Sequence, residues 1–113
     1  MYKNLRLLYV TTSNKKEAQK IGRALVKQNL AACANIIDGM ESIYKWEGEI
    51  REDKECVLLI KTHYSRVKKV TRRVMEMHSY ECPCVISITL AENEGNEEYL
   101  DWLEDNSKQP FKL

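Results

Sequence analysis

The chain has 113 residues, 43% hydrophobic and 31% charged, with 18 basic and 17 acidic side chains. A chain of this size buries roughly two thirds of the surface it exposes when unfolded, enough for one core without metal or disulfide staples and too little for two. A formal net charge of +1 supplies no overall field for a polyanion, and no apolar run approaches the ~18 residues of a membrane span, so neither nucleic acid nor bilayer is an expected partner.

Leu5 to Thr12 is short, apolar and rich in strand formers, and Ser13-Asn14 bounds it, which predicts a largely buried first strand. The apolar run Leu7 to Val10 behind Lys3 and Arg6 is too short for a signal-peptide core, so a cytoplasmic location is expected. Asn14 with Glu17 three places on forms a capping pair for a helix whose inner face is Ala18, Ile21, Gly22, Leu25 and Val26, with Asn29 as its stop. From Ala31 the pattern turns strand-like through Cys33, Ile36 and Ile37, past an Asp38-Gly39 bend, to Ile43-Tyr-Lys-Trp46 and a Glu47-Gly48 turn. The returning strand begins at Glu49, crosses a polar stretch and ends as Cys56-Val-Leu-Leu-Ile60. Ser65 is the expected cap of a second helix with Val67, Val70, Val74 and Met77 inward and a basic outer face. Pro83 closes that region, Cys84 to Ala91 alternates as a fourth strand, and Asn96 caps an acidic helix presenting Tyr99, Leu100 and Leu103. The tail, residues 107–113, is expected to be loosely held.

This order makes residues 1–113 a single α+β domain, a ferredoxin-like βαββαβ sandwich with a long central hairpin and a C-terminal helix. Two features call for a partner. The first strand is apolar on both faces, and hairpin arms of a dozen residues reach about 40 Å, against a radius of gyration near 13 Å for a ~100-residue domain. A ribbon carrying Ile43, Tyr44, Trp46 and Ile50 beyond the body is an apolar edge that oligomerisation would cover. The alternative is a ribbon folded back on its own domain.

Several segments, in order along nearly the whole chain, resemble the CutA divalent-cation tolerance family. They are Val10-Thr-Thr12, Ala24-Leu25, Leu30-Ala-Ala-Cys-Ala-Asn-Ile-Ile37, Ser42-Ile-Tyr-Lys-Trp-Glu-Gly48, Leu59-Ile-Lys-Thr62, His78-Ser-Tyr-Glu-Cys-Pro83 and Tyr99-Leu-Asp-Trp-Leu103. The resemblance implies a ferredoxin-like subunit in a tight homotrimer, hairpins packed against neighbours, a role in tolerance of copper and other divalent cations, and no enzymatic turnover. It also implies a metal site of a strand-end cysteine, a histidine and a glutamate. Here only the histidine, His78, is retained, because Val10 and Cys84 occupy the other two positions.

His78, Cys82 and Cys84 form the sharpest local group, an imidazole at a helix end followed by two thiols flanking Pro83. Residues i and i+2 of an extended chain point the same way, so both sulfurs can face one ion, and His78 joins if the intervening turn folds back. Such donors suit Cu(I) or Zn(II) better than oxygen-seeking Mg or Ca. The plainer reading is a capping histidine, a surface Cys82 and a Cys84 that opens a strand. Cys33 and Cys56 read as packed core thiols, and all four cysteines as reduced. Tyr44, Trp46 and Glu47 are expected at an intersubunit cleft or interface. The absence of a Walker loop, a G-x-S-x-G elbow and an H-E-x-x-H pair predicts no catalysis, and an RNA-recognition reading lacks its [KR]-G-[FY] signature.

The expected function is a cytoplasmic homotrimer binding copper or another divalent ion, with no organic cofactor and an unidentified protein partner left open. The alternative is a trimeric small-molecule-sensing module like the PII proteins, or a scaffold, without a metal role.

Overall fold

The computed structural model describes residues 3–112. Four strands, β1 (Leu5–Thr12), β2 (Cys33–Trp46), β3 (Glu49–His63) and β4 (Val85–Thr89), form one antiparallel sheet in the order β2-β3-β1-β4. Helices α1 (Lys15–Lys27) and α2 (Val67–Met77) lie side by side on one face, and α3 (Glu97–Ser107) follows β4. This is the expected ferredoxin-like α+β arrangement.

The core lies between the sheet and the first two helices. Leu8 and Val10 of β1 pair with Ile60 and Leu58 of β3, and these four, with Cys56, meet Ala18, Ile21 and Leu25 of α1 and Val70 and Val74 of α2. All are essentially sealed from solvent. Helix α1 approaches the sheet so closely at Gly22 that a Cβ there would stand 3.1 Å from the Ala34 Cβ and 3.3 Å from the Leu58 Cδ1. The α1 start follows the sequence: Asn14 Oδ1 accepts the Glu17 N–H (2.9 Å), although the Glu17 carboxylate answers at Ser13 N–H rather than at Asn14. Asn29, the expected stop, takes a left-handed φ of 57° two residues past the last helical turn.

Two boundaries differ from expectation. Ser65 does not cap α2; it sits in a 3₁₀ turn (Tyr64–Arg66) capped by the His63 ring, Nδ1 accepting from Ser65 N at 3.0 Å while Tyr64 N donates to Asn4 O. A histidine ring can replace a hydroxyl at a helix start, a substitution that cap statistics built on Ser, Thr, Asp and Asn do not signal. The second difference is Asp38-Gly39, which does not bend the chain out of the sheet. Ile37 pairs with Val57 and Met40 with Glu55, so two residues of β2 oppose the single Cys56. Gly39 takes φ +80°, and Asp38 Oδ1 accepts its N–H at 2.9 Å, which identifies a β-bulge inside one continuous strand.

The bulge decides which side chains face where. Before it, Cys33, Asn35 and Ile37 lie on the face away from the helices; after it, Met40, Ser42, Tyr44 and Trp46 do, opposite Glu55, Asp53 and Arg51 of β3. The hairpin closes on Glu47 (φ 50°) and Gly48 (φ 80°), a two-residue turn with both φ positive that matches the twist of its strands. On the helix-free face Ile37, Ile86 and Ile88 are about half exposed, and at the overhanging tip Ile43 and Ile50 are 71% and 74% exposed. The molecule is correspondingly long, 46 × 32 × 22 Å.

Helix α3 crosses part of that open face. Tyr99 Oη accepts from Lys61 Nζ at 3.1 Å, and Leu103 and Ser107 are buried beneath it. The segment expected to be loose beyond it makes specific contacts: Asn29 Nδ2 donates to Pro110 O (2.7 Å), Lys112 N to Gln28 O (3.0 Å), and the Phe111 ring lies 4.0 Å from the Arg66 guanidinium and 3.7 Å from Lys69 Nζ. Leu113, the end of the expected tail, lies outside the described residues.

Candidate functional site

The β2–β3 overhang, β1 and the segment joining α2 to β4 enclose a cleft of about 770 Å³. Its hairpin wall is the set of side chains the bulge turns outward, Met40, Ser42, Tyr44 and Trp46 with Arg51, Asp53 and Glu55; Tyr9 and Thr11 form the floor, and Tyr80, Glu81, Cys82 and Cys84 the far wall. Two phenols bind the walls together. Tyr80 Oη donates to Glu55 Oε2 across the cleft (2.9 Å), and Tyr9 Oη reaches the Met40 sulfur at 3.4 Å. A third phenol, Tyr44, hydrogen-bonds Asp53 within the hairpin. Burial and the Glu55 carboxylate both raise the Tyr80 phenol well above its ordinary pKa, so it stays a donor.

Cys82 and Cys84 therefore share one cleft wall, Cys82 exposed and Cys84 half-buried, both with free thiols. Burial raises the Cys84 pKa; Thr11 pulls it down and Glu55 adds to the rise. His78 is in a different situation. Its side chain is fully buried, its Nε2 lies 2.8 Å from Thr11 O, and its Nδ1 accepts the Tyr80 N–H at 3.1 Å. Nε2 must carry the proton, because a carbonyl only accepts, and Nδ1 must be bare, because an N–H points at it. Both ring nitrogens are thus occupied by backbone groups, and the ring packs against Tyr80 in a tilted arrangement (centroids 4.7 Å apart, planes at 48°) instead of lining the cleft. Among the described residues, no three of His, Cys, Asp and Glu stand close enough together to hold a metal ion. Of the sequence candidates, the structure brings Cys82, Cys84, Tyr44 and Trp46 to one cleft; His78 lies behind its wall and Glu47 at the hairpin turn.

Behind the cysteine-bearing segment, the Glu17 carboxylate accepts from Ser13 N (3.0 Å), Ser13 Oγ (3.0 Å) and Ser79 N (2.9 Å). Burial pushes this carboxyl up, but the hydrogen bonds from Ser13 and Ser79 outweigh it and hold the group below its ordinary range. Glu17 and His78 together fix the chain from Ser79 to Cys84 against β1 and α1. Sequence reasoning missed Asp53, Glu55 and Tyr80. The unbroken alternation of β3 was the signal that could have found the first two, since with Cys56, Leu58 and Ile60 facing the core it places Glu55 and Asp53 on the opposite, cleft side.

Residues 6–106, most of the chain and all of this framework, match the family model described as CutA1 divalent ion tolerance protein. The chain belongs to the CutA1 family. It is 43% identical to the divalent-cation tolerance protein CutA of Thermus thermophilus, over 89% of this chain and 96% of that protein. A solved CutA1 structure from that organism superposes with a TM-score of 0.84 at 42% identity, covering 91% of this chain and 98% of the other. The chloroplastic protein CutA of Arabidopsis thaliana is 37% identical over 90% of this chain, which spans only 55% of that longer protein. A structure titled as the periplasmic divalent cation tolerance protein CutA of Archaeoglobus fulgidus matches with a TM-score of 0.84 at 33% identity, over 92% and 99% of the two chains. CutA1 relatives thus carry names from more than one compartment. The family is named for tolerance of divalent ions, not for a reaction. No helix among the described residues is long and apolar enough to cross a membrane.

Proposed function

We propose that this CutA1 chain serves divalent-cation tolerance by assembling as a homotrimer and holding a soft metal ion, copper or a zinc-like cation, at the Cys82–Cys84 wall of the cleft. The observation that carries the reading is that two free thiols and the carboxylates of Asp53, Glu55 and Glu81 line one cleft. Thiolates select Cu(I) and Zn(II), and the carboxylates favour a cation in the cleft. Two thiols do not fill a tetrahedral shell, and no third such side chain of this chain stands close enough among the described residues, so further donors come from another copy or from solvent. His78 enters the shell only by giving up the backbone contact of the nitrogen that ligates, the Tyr80 N–H at Nδ1 or Thr11 O at Nε2. Reduced thiols suit a reducing compartment, which supports the cytoplasm.

Assembly is supported by the half-exposed isoleucines of the open face and by the bare hairpin tip. Water-exposed apolar strands of this kind are normally covered. The test is titration of the reduced protein with Cu(I) and Zn(II), beside native mass measurement. Cys82→Ser and Cys84→Ser should each weaken binding by more than about tenfold, a loss that even outer-shell changes can cause. Unchanged affinity in both variants would overturn the site, and a monomer at micromolar concentration would overturn the assembly.

A second reading has its own support. The cleft volume lies within the roughly 300–1,000 Å³ range of small-molecule sites, and Tyr44, Trp46 and Arg51 offer stacking and a cation. Thermal stabilisation by nucleotides or small anions, and not by soft metals, would favour a sensing module over metal handling.

A further inference from the structure

The net charge of +1 is the average of two opposite faces. Helices α1 and α2 carry nine basic side chains and only two acidic ones, Glu17 and Glu76. The remaining chain keeps nine basic against fifteen acidic, out of totals of 18 and 17. Both helices pack on the same side of the sheet and next to each other, so their outer surfaces form one continuous cationic layer. Lys16, Lys20, Arg23 and Lys27 are all exposed and recur at i, i+4, i+7 and i+11, a straight ridge about 16 Å long at 1.5 Å per residue. Lys68, Lys69 and Arg72 are exposed on the neighbouring helix, roughly 8–10 Å away by ordinary helix packing. Among the described residues none of these cations forms an ion pair, whereas Lys3 and Lys108 elsewhere do.

We propose that the α1–α2 face docks the phosphate backbone of a nucleic acid, without reading its sequence. Duplex DNA presents one charge per ~1.7 Å of axis, so a 16 Å ridge faces about ten phosphates, and two parallel ridges can neutralise several of them. Neither helix itself exposes an aromatic ring on which a base could stack, and the Phe111 ring beside α2 is engaged by Arg66 and Lys69, which leaves the contact to phosphates. A lipid surface is the weaker match: helices that lie in a membrane interface insert a broad apolar face, and here that face is consumed by the core, leaving only Val26 (39%) and Met75 (47%) exposed. The face is separate from the acidic cleft and does not depend on metal there.

The test is fluorescence anisotropy of a labelled mixed-sequence duplex of about 20 base pairs, in EDTA, at about 50 and 200 mM KCl. Binding should weaken by about 100-fold across that salt range, the slope expected when roughly four phosphates are neutralised. Lys20→Glu with Arg23→Glu should weaken it by more than about tenfold, while Lys45→Glu with Lys54→Glu, an equal charge change on the hairpin, should leave it within about twofold. Circular dichroism checks both folds; should the helix variant unfold, Lys20→Gln with Arg23→Gln replaces it and should weaken binding in the same direction. No binding at 50 mM KCl up to about 50 µM protein, equal losses from the helix and hairpin variants, or capture by phosphatidylserine vesicles without capture of the duplex would each overturn the proposal.

Discussion

His78→Ala separates a ring that builds the cleft from a ring that binds metal. The imidazole is fully buried and spans Thr11 O and the Tyr80 N–H. Its removal strands one acceptor and one donor at about 1–3 kcal/mol each and opens a cavity, for an expected loss of about 3–5 kcal/mol. In a domain near 100 residues each kcal/mol lowers Tm by roughly 4–8 °C, so metal-free protein in EDTA should melt at least about 12 °C lower by differential scanning calorimetry. Because the Tyr80 N–H loses its anchor, the Tyr80–Glu55 bridge should loosen too, and Tyr80→Phe in the His78→Ala background should cost less than it does alone. A His78→Ala protein that melts within about 2 °C of the parent yet loses soft-metal affinity would refute this reasoning and make the ring a ligand first.

Three further outcomes follow from the packing and the charges. Gly22→Val should destabilise by about 2–3 kcal/mol in chemical denaturation, since the 3.1 Å approach to the Ala34 Cβ leaves no room for branching and overpacking outweighs the gain in helix propensity. Glu17, held below its ordinary pKa, stabilises the fold when ionised, a contribution present above the unfolded value and lost as pH falls through the folded one. The stability gap between parent and Glu17→Gln, measured by urea titration, should therefore be widest near neutrality and shrink below about pH 4.3. Phe111→Ala should cost about 1 kcal/mol and expose the tail to C-terminal proteolysis, because the ring rests on both Arg66 and Lys69; unchanged cleavage would mean that the tail is held by its backbone contacts alone.

Elements whose signals are local are legible in the sequence. Leu5 to Thr12 forms the first strand to the residue, Asn14 and Asn96 cap their helices with side-chain oxygens, and the Val70–Val74 stripe faces the core. What the sequence hides depends on partners distant along the chain. Ser65 falls inside a 3₁₀ turn capped by the His63 ring, so that α2 itself starts without a side-chain cap, and residues 110–112 are held by Gln28, Asn29, Arg66 and Lys69, none predictable from a polar tail. At the site, adjacency of His78, Cys82 and Cys84 in sequence suggests adjacency in space. The thiols do share a wall, while Thr11 and Tyr80 draw the imidazole to its other side. Net charge misleads for a similar reason, since a sum over the chain erases the opposition between the helix layer and the rest.

The two residues at 38–39 also set how this protein tolerates change. Along β2, substitutions on the helix-free side should be felt at odd positions as far as Ile37 and at even positions from Met40 onward, so a mutational scan would show its rhythm reversing phase at Asp38-Gly39. A relative lacking one of them would still turn Met40, Ser42, Tyr44 and Trp46 toward its cleft, since a single residue opposite Cys56 restores simple alternation between Ile37 and Met40; it would lose only the extra local twist that the bulge adds.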